Sequence, residues 1–371
     1  MKIDAFVKPA LRTLPFYEPG RPIETVAREY GLNPEEIIKL ASNENPLGPS
    51  PLGMAAAQTA LSQAHFYPDG SGYRLCRKLA EHHHLTPEQF ILGNGSNEIM
   101  VLLAQALLGP GDEVVMGESA FPVYRLVTLM MGATPVMVPM PDHRHDLNAM
   151  AAAVTPRTKI LFLPSPNNPT GTANTEQEIV RLAESLPDHV LFCFDEAYAE
   201  YLDQPPSVHG LIAAGYPVLA LRTFSKIYGL AALRIGYGYG PAPLIAALQR
   251  LRQPFNTNAI AQTAACAALD DADHIQRGRD TNDAGLRQLE NGLTALGIDF
   301  VPSVANFLLA AVPDAPAFFH WLQARGIIVR PMGGKLAGYV RVSVGTTTQN
   351  QRFLDALNLY LANERQAAAP S

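Results

Sequence analysis

Val190-Leu-Phe-Cys-Phe-Asp-Glu-Ala-Tyr198 sets five consecutive apolar residues ahead of a carboxylate. An apolar run of this length, closed by polar residues, reads as a strand buried on both faces, the kind found in parallel sheets. Asp195 then ends a buried strand, where a lone ionised group costs several kcal/mol unless a cation faces it. An arginine partner would meet that need. A metal shared by Asp195 and Glu196 would not, because consecutive strand residues point to opposite faces.

Similar runs recur on either side. Phe90 to Leu92, Glu113 to Met116, Thr134 to Val138, Lys159 to Leu163, Val218 to Thr223 and Ile235 to Tyr239 read as further strands. Helical spacing fills the intervals at Asn97 to Leu108, Phe121 to Met131, Leu147 to Val154, Thr175 to Leu186 and Pro243 to Gln253. Alternation of this kind predicts an α/β architecture, a mostly parallel sheet between helices, over residues 40–253. After Pro254 the texture changes to an Ala-rich helix at Ala259 to Ala268, a long amphipathic helix near His274 to Leu296, and β-like runs at Phe307 to Ala311 and Tyr339 to Val344. Residues 254–371 are therefore expected to form a second, smaller α+β domain. Residues 1–39, with one weak helix at Ile23 to Tyr30, are expected to pack as an arm on that domain or on a partner subunit, and Gln366 to Ser371 to fray.

Composition narrows the function. The chain has 371 residues, 47% hydrophobic and 17% charged, enough to bury a large core. Lys+Arg 28 against Asp+Glu 34 gives a net charge of −6, so no basic field draws nucleic acid or an anionic membrane. No apolar stretch approaches the roughly 18 residues of a membrane span, and Asp4, Pro9, Arg12 and Pro15 interrupt any signal-peptide core. Cys76, Cys193 and Cys266 lie too far apart for a metal knuckle or disulfide framework, which fits a reducing, cytoplasmic setting. Small-molecule chemistry is the expectation, with no metal.

In a doubly wound sheet the ligand lies beyond the carboxyl ends of the strands. Phe90-Ile-Leu-Gly-Asn-Gly-Ser-Asn-Glu98 is a strand, a Gly-rich turn and a helix start, suited either to a phosphate on free N–H groups or to a plain connection capped by Ser96 or Asn97. Ile160-Leu-Phe-Leu-Pro-Ser-Pro-Asn-Asn-Pro-Thr-Gly171 runs into a proline-stiffened turn that can hold Asn168 still, or serve simply as a turn. Leu221-Arg-Thr-Phe-Ser-Lys226 carries one of only seven lysines to a strand end, with Thr223, Ser225 and Arg234 close in sequence. Such a lysine either forms an imine with a carbonyl or is a solvated charge. Together, a phosphate cradle, an immobilised amide, a buried acid and an isolated lysine match the needs of pyridoxal phosphate: imine, charged ring nitrogen and phosphate.

The residues Gly93-Asn-Gly-Ser-Asn-Glu98, Asn168-Pro-Thr-Gly171, Asp195-Glu-Ala-Tyr198 and Thr223-Phe-Ser-Lys226 through Arg234-Ile-Gly236 resemble the fold type I pyridoxal-phosphate aminotransferases along the whole chain. Ala41-Ser-Asn-Glu-Asn-Pro-Leu-Gly48, Tyr67-Pro-Asp-Gly70 and Tyr339-Val-Arg-Val-Ser-Val-Gly-Thr346 look like the histidinol-phosphate aminotransferases within that superfamily. The resemblance implies an aspartate-aminotransferase-like fold and a homodimer that passes an amino group from L-glutamate to imidazole-acetol phosphate, in either direction. Lys226 would hold the cofactor and move the proton between the substrate α-carbon and the cofactor. Asp195 would face the ring nitrogen, Asn168 and Tyr198 the ring oxygen, and Phe121, where many relatives carry tyrosine, the ring face. Ser96, Asn97, Thr223, Ser225 and Arg234 would bind the phosphate, joined by Tyr67 from the other subunit. Arg341 would take the donor's α-carboxylate and, with Arg330, the substrate phosphate, with Tyr17 closing over it.

Other features read more plainly. His82-His-His84 is expected to be a solvated helix end, Gly236-Tyr-Gly-Tyr-Gly240 a glycine-rich strand rather than a dinucleotide fingerprint, and Met130-Met131 core filler. An aromatic amino acid aminotransferase and a threonine-phosphate decarboxylase fit the same cofactor residues, while a ligand-sensing regulator would need a basic DNA-binding domain that the short arm does not supply.

Overall fold

Alternate residues of the central strands pack into separate cores, which is why these strands read as unbroken apolar runs. In the computed structural model, which describes residues 6–367, Phe192 and Phe194 enter one core with Leu161 and Leu163, while Leu191 and Cys193 enter another with Ile160 and Phe162. The strands are β1 (Phe90–Gly93), β2 (Glu113–Gly117), β3 (Thr134–Val138), β4 (Thr158–Pro164), β5 (Leu191–Asp195), β6 (Val218–Thr223) and β7 (Gly236–Tyr239). Their spatial order is β1-β7-β6-β5-β4-β2-β3. All pair in parallel except β7, which runs antiparallel to both neighbours. β3, at the edge, is the one half-exposed strand of the seven.

The glycines of β7 have a specific use. A Cβ on Gly236 would lie 2.5 Å from the Ser96 amide nitrogen and 2.7 Å from the Gly95 carbonyl carbon. Only a bare backbone lets β7 pass beneath the start of the helix Ser96–Leu107.

A second, antiparallel sheet is built from β8 (Phe300–Val301), β9 (Phe307–Ala311), β10 (Arg330–Pro331) and β11 (Tyr339–Ser343) in the order β10-β11-β9-β8. Leu308, Ala310, Val340 and Val342 pack from it against Leu286, Leu289 and Leu293 of the helix Ala272–Ala295 and against Phe353 and Leu357 of the helix Thr347–Ala367. Ile38 and Lys39 pair with Ile327 and Ile328 in a short parallel ladder, and Val26, Ala27, Ile37 and Ala41 close over Ile328.

We propose that the two units divide within the helix Ala272–Ala295, rather than at 253/254. The Ala-rich helix Ala259–Ala268 belongs to the large core through Ala261, Ala264, Ala265 and Ala268. It packs closely on the helix Pro51–Leu61, where a Cβ on Gly53 would meet Ala264 and Ala268. Leu40 joins the small core, so the small unit takes in the chain before it as well. Of the tail 366–371, Gln366 and Ala367 continue the last helix, and 368–371, like 1–5, lie outside the described residues.

The histidine triplet corrects the sequence reading. His82 and His84 are exposed, but His83 is buried, with Nε2 2.9 Å from the Tyr237 hydroxyl and Nδ1 3.3 Å from His209 Nε2. Residue 83 follows Cys76, Leu79 and Ala80 at intervals of seven, four and three, on the buried stripe of the helix Tyr73–His83. Burial, with Arg222 nearby, lowers its pKa to about 2.

Replacing Gly236 with Ala should lower the stability of the full-length protein in urea by about 1–3 kcal/mol, since strand and helix must part. Gly210→Ala, at an exposed helical glycine with no neighbour within 4 Å of a new Cβ, should be neutral or stabilising. Equal losses in both variants would contradict the close-approach argument.

Candidate active site

The carboxyl ends of β1, β4, β5 and β6 open into a cavity of about 250 Å³ lined by Ser96, Asn97, Phe121, Asn168, Asp195, Tyr198, Thr223, Ser225, Lys226 and Arg234. Strand register brings these together: Asp195 lies opposite Pro164 on one side and Leu221 on the other, and Thr223 opposite Gly236, itself paired with Gly93.

At one end the helix Ser96–Leu107 begins with no side-chain cap, and Gly95, at φ +71°, turns the chain into it. Arg234, itself in the left-handed region at φ 56°, brings its guanidinium under this turn. Its Nη2 donates to the Asn94 carbonyl at 3.3 Å and its Nη1 to Ser225 Oγ at 3.4 Å. A Cβ at Gly95 would lie 2.7 Å from Nη2. Uncapped N–H groups, hydroxyls and one arginine make a cradle for a phosphate dianion.

In the middle, Asp195 is 5% exposed. Oδ2 accepts from the Tyr124 hydroxyl at 2.7 Å and Oδ1 from the Ala197 amide at 3.1 Å. Burial raises its pKa to about 6, against the lowering effect of Tyr124, Ala197 and Lys226. Lys226 donates to the Ser42 carbonyl at 3.3 Å and lies 5.5 Å from the centre of the Tyr198 ring. Burial first, then Arg341 and Arg234, lower its pKa to about 8, with Glu44 and Asp195 opposing. Tyr198 accepts from Asn43 Nδ2 at 2.8 Å, and burial pushes its phenol up to about 12.

At the other end a second cavity, about 540 Å³, holds Tyr17, Arg330 and Arg341 and shares Phe121, Asn168, Tyr198 and Lys226 with the first. Arg330 and Arg341 are direct cross-strand partners on β10 and β11. Like charges so placed repel: burial first, and then Arg330, lower the pKa of Arg341, with Tyr198 opposing. Arg341 is 9% exposed, donating to Asn168 Oδ1 and to the Ala41 carbonyl, each at 2.5 Å. Arg330 donates to the Glu18 carbonyl at 2.6 Å. An ion pair of 2.7 Å between Lys335 and Glu118 ties the two lobes across this cavity.

Tyr67 stands apart from both cavities. It is 83% exposed and stacks on Phe255 at 4.9 Å. Conversely, Ser42, Asn43 and Tyr124 contact site residues without having been given a role by the sequence. The first two lie in the Ala41–Gly48 motif, and Tyr124 lies one helical turn after Phe121.

The family described as aminotransferase class I and II matches residues 35–357. The chain is 48% identical over 362 residues to histidinol-phosphate aminotransferase 1 of Thiobacillus denitrificans, covering 96% of this chain and 94% of that one. It is 43% identical over 359 residues to the histidinol-phosphate aminotransferase of Akkermansia muciniphila, covering 96% and 99%. The chain belongs to the histidinol-phosphate aminotransferase family of class I and II aminotransferases. Among solved structures, the Sinorhizobium meliloti histidinol-phosphate aminotransferase in complex with pyridoxal-5'-phosphate superposes with a TM-score of 0.88 at 27% identity, covering 98% of each chain. A Thermus thermophilus aspartate aminotransferase double mutant gives 0.81 at 28%, covering 95% of this chain and 98% of that one. The chain is accordingly a pyridoxal-phosphate-dependent transaminase with an aspartate-aminotransferase-like fold. The phosphate cradle at Gly95, a buried acid and a lysine of lowered pKa are a donor set that fits this cofactor.

Burial of Asp195 should leave a mark on stability. The unfolded chain releases this proton near pH 3.8, whereas the folded chain holds it to about 6. The contribution therefore destabilises the fold as pH rises through that window, and the loss persists above it. Asp195→Asn, free of cofactor, should be more stable than the parent by about 1–3 kcal/mol at pH 7.5, converging with it below pH 4 in denaturant titrations. A gap independent of pH would contradict the buried-charge account.

Proposed function

We propose that the protein converts L-histidinol phosphate and 2-oxoglutarate into imidazole-acetol phosphate and L-glutamate, and back, a reading supported by relatives named histidinol-phosphate aminotransferase. The observation that carries the substrate assignment is the opposed pair Arg330 and Arg341 on neighbouring strands, in a cavity continuous with Lys226. Two cations held side by side ask for a divalent anion between them, which a phosphorylated substrate supplies and an aromatic amino acid does not.

When bound, pyridoxal phosphate supplies an aldehyde that takes up amino groups and a ring that disperses negative charge from the substrate α-carbon. Ser96, Asn97, Thr223, Ser225 and Arg234 would hold its phosphate and Phe121 would cover its ring. Asp195 would supply a negative charge for the ring nitrogen, while Asn168 and Tyr198 would donate to the ring oxygen. Arg341 already occupies the Asn168 carbonyl oxygen, which leaves that side chain's NH₂ as the donor. Lys226 Nζ, with a pKa near 8, is suited to accept the α-proton and return it at neutral pH. Arg341 takes the α-carboxylate of the amino donor and, with Arg330, the phosphate of histidinol phosphate, while Tyr17 screens that end from water.

We also assign the working unit as a homodimer in the cytoplasm, with Tyr67 completing the phosphate site of the neighbouring subunit. Support for the dimer is the exposure of Tyr67, which stacks on exposed Phe255 and follows exposed Phe66 in sequence, aromatic surface that a monomer would leave wet. Three unpaired cysteines fit a reducing compartment.

Lys226→Ala should lose the absorbance of the lysine-bound cofactor, gain no cofactor mass after borohydride, and fall in turnover by about 10³-fold or more. Arg330→Gln should lower kcat/KM for histidinol phosphate by about 10–100-fold, yet change that for L-phenylalanine by less than about threefold. Equal effects on both substrates would remove the phosphate assignment and favour the aromatic reading.

A further inference from the structure

Tyr124 has no place in the chemistry so far, yet its contact with the acid is the shortest hydrogen bond that Asp195 makes. The helix Pro122–Met130 starts at the carboxyl side of β2 and carries Phe121 as its N-cap, so residue 124 lies one turn further in, where it forms part of the cavity wall. Its ring is wholly buried, stacked on Phe162 of β4 at 4.5 Å and 11°, and edge-on to Phe121 at 5.8 Å. The hydroxyl donates to Asp195 Oδ2 at 2.7 Å. Burial and the neighbouring Asp195 raise the phenol's pKa well above its ordinary value, so the proton stays on tyrosine and the bond is charge-assisted.

We infer that Tyr124 is a positioning residue, whose hydroxyl keeps the Asp195 carboxylate ionised and turned into the cavity. Other groups near that carboxylate do less to orient it. Lys226, from the segment after β6, acts at a distance and is engaged with Ser42. Glu196 repels it and is itself bound to Arg222 and Tyr239. Cys193 and Tyr198 are buried with raised pKa values and carry no positive charge. The Ala197 amide holds the other oxygen, so one backbone donor and one phenol define the plane of the acid. The same stack links the acid to Phe121, the side chain assigned to the ring face, and a single aromatic column thus spaces two of the groups around the cofactor.

The inference rests on the cofactor reading, and its test is built to fail separately from it. In Tyr124→Phe the ring and its stacking remain and one hydroxyl is lost. In the full-length protein without cofactor, infrared titration of the buried carboxylic acid should show its midpoint, near pH 6 in the parent, moved upward by one unit or more. A ring-fluorinated tyrosine at 124, whose more acidic hydroxyl donates more strongly, should move it downward, a shift that no packing role produces. At pH 7.5, Tyr124→Phe should bind pyridoxal 5'-phosphate about 10-fold more weakly. It should bind an analogue with C–H in place of the ring nitrogen within twofold of the parent. Unmoved midpoints, or equal changes for both ligands, overturn the role of Tyr124. A parent protein that binds neither ligand overturns the cofactor reading instead, and leaves the titration as the test of Tyr124.

Discussion

A carboxylate held in the charged form at the end of a fully buried strand is the constraint around which this molecule is arranged. Little of Asp195 reaches water, because β5 lies in the middle of the sheet with a hydrophobic core on each face. The charge survives only through donors brought from elsewhere: the phenol of Tyr124 from a neighbouring helix, an amide from the following turn, and the distant ammonium of Lys226. The same dry setting acts in opposite directions on acid and amine, raising one and lowering the other until both titrate near neutrality. The lowered amine is suited to proton transfer, while the raised acid weakens the fold, a common trade at active sites.

The two lobes divide the labour by charge. Everything suited to the cofactor lies at the strand ends of the large sheet, whereas the arginines suited to substrate anions project from the small sheet. Arg341 reaches across to Asn168, and Lys335 across to Glu118, so the spacing of the anion subsites from Lys226 depends on how the lobes meet. Residues 17–45 take part in both, placing Tyr17 and Asn43 on the larger cavity and Ser42 on both.

Local rules are broken where the ligand is expected. A helix begins without a cap, an arginine adopts a left-handed backbone, and a central strand is half glycine. Each departure lets backbone approach closely or leaves a donor unspent, and each is compensated by the packing of the surrounding sheet.

Much of this was legible in the residues themselves. Apolar runs ending in Pro164, Asp195 and Thr223 determined the strands and the end of the sheet at which chemistry lies, because a doubly buried strand needs an uninterrupted run and its first polar residue marks the exit. That rule placed Asn168, Asp195 and Lys226 just beyond strand runs, while their roles and that of Arg234 came from their combination and from the resemblance. What the chain order could not carry is whatever depends on contacts between distant segments. The two-residue strands Phe300–Val301 and Arg330–Pro331 are too short for any periodicity, and exist only because β9 and β11 offer them partners. The change in composition at Pro254 says nothing about which core the alanine helix joins, and Ala261, Ala264, Ala265 and Ala268 lie in the large one, which is the ground for the boundary proposed above. His83 was misjudged as part of a triplet although its helical spacing to Leu79 already placed it inside. The hydrogen bond from Tyr124 to Asp195 joins residues 71 apart in sequence, and only the packing of a helix under β4 and β5 brings them within 2.7 Å. Sequence thus determined which groups are chemical and which strand ends they occupy, while the tertiary structure decided their ionisation, since that depends on the water each group has lost and on donors no local pattern encodes.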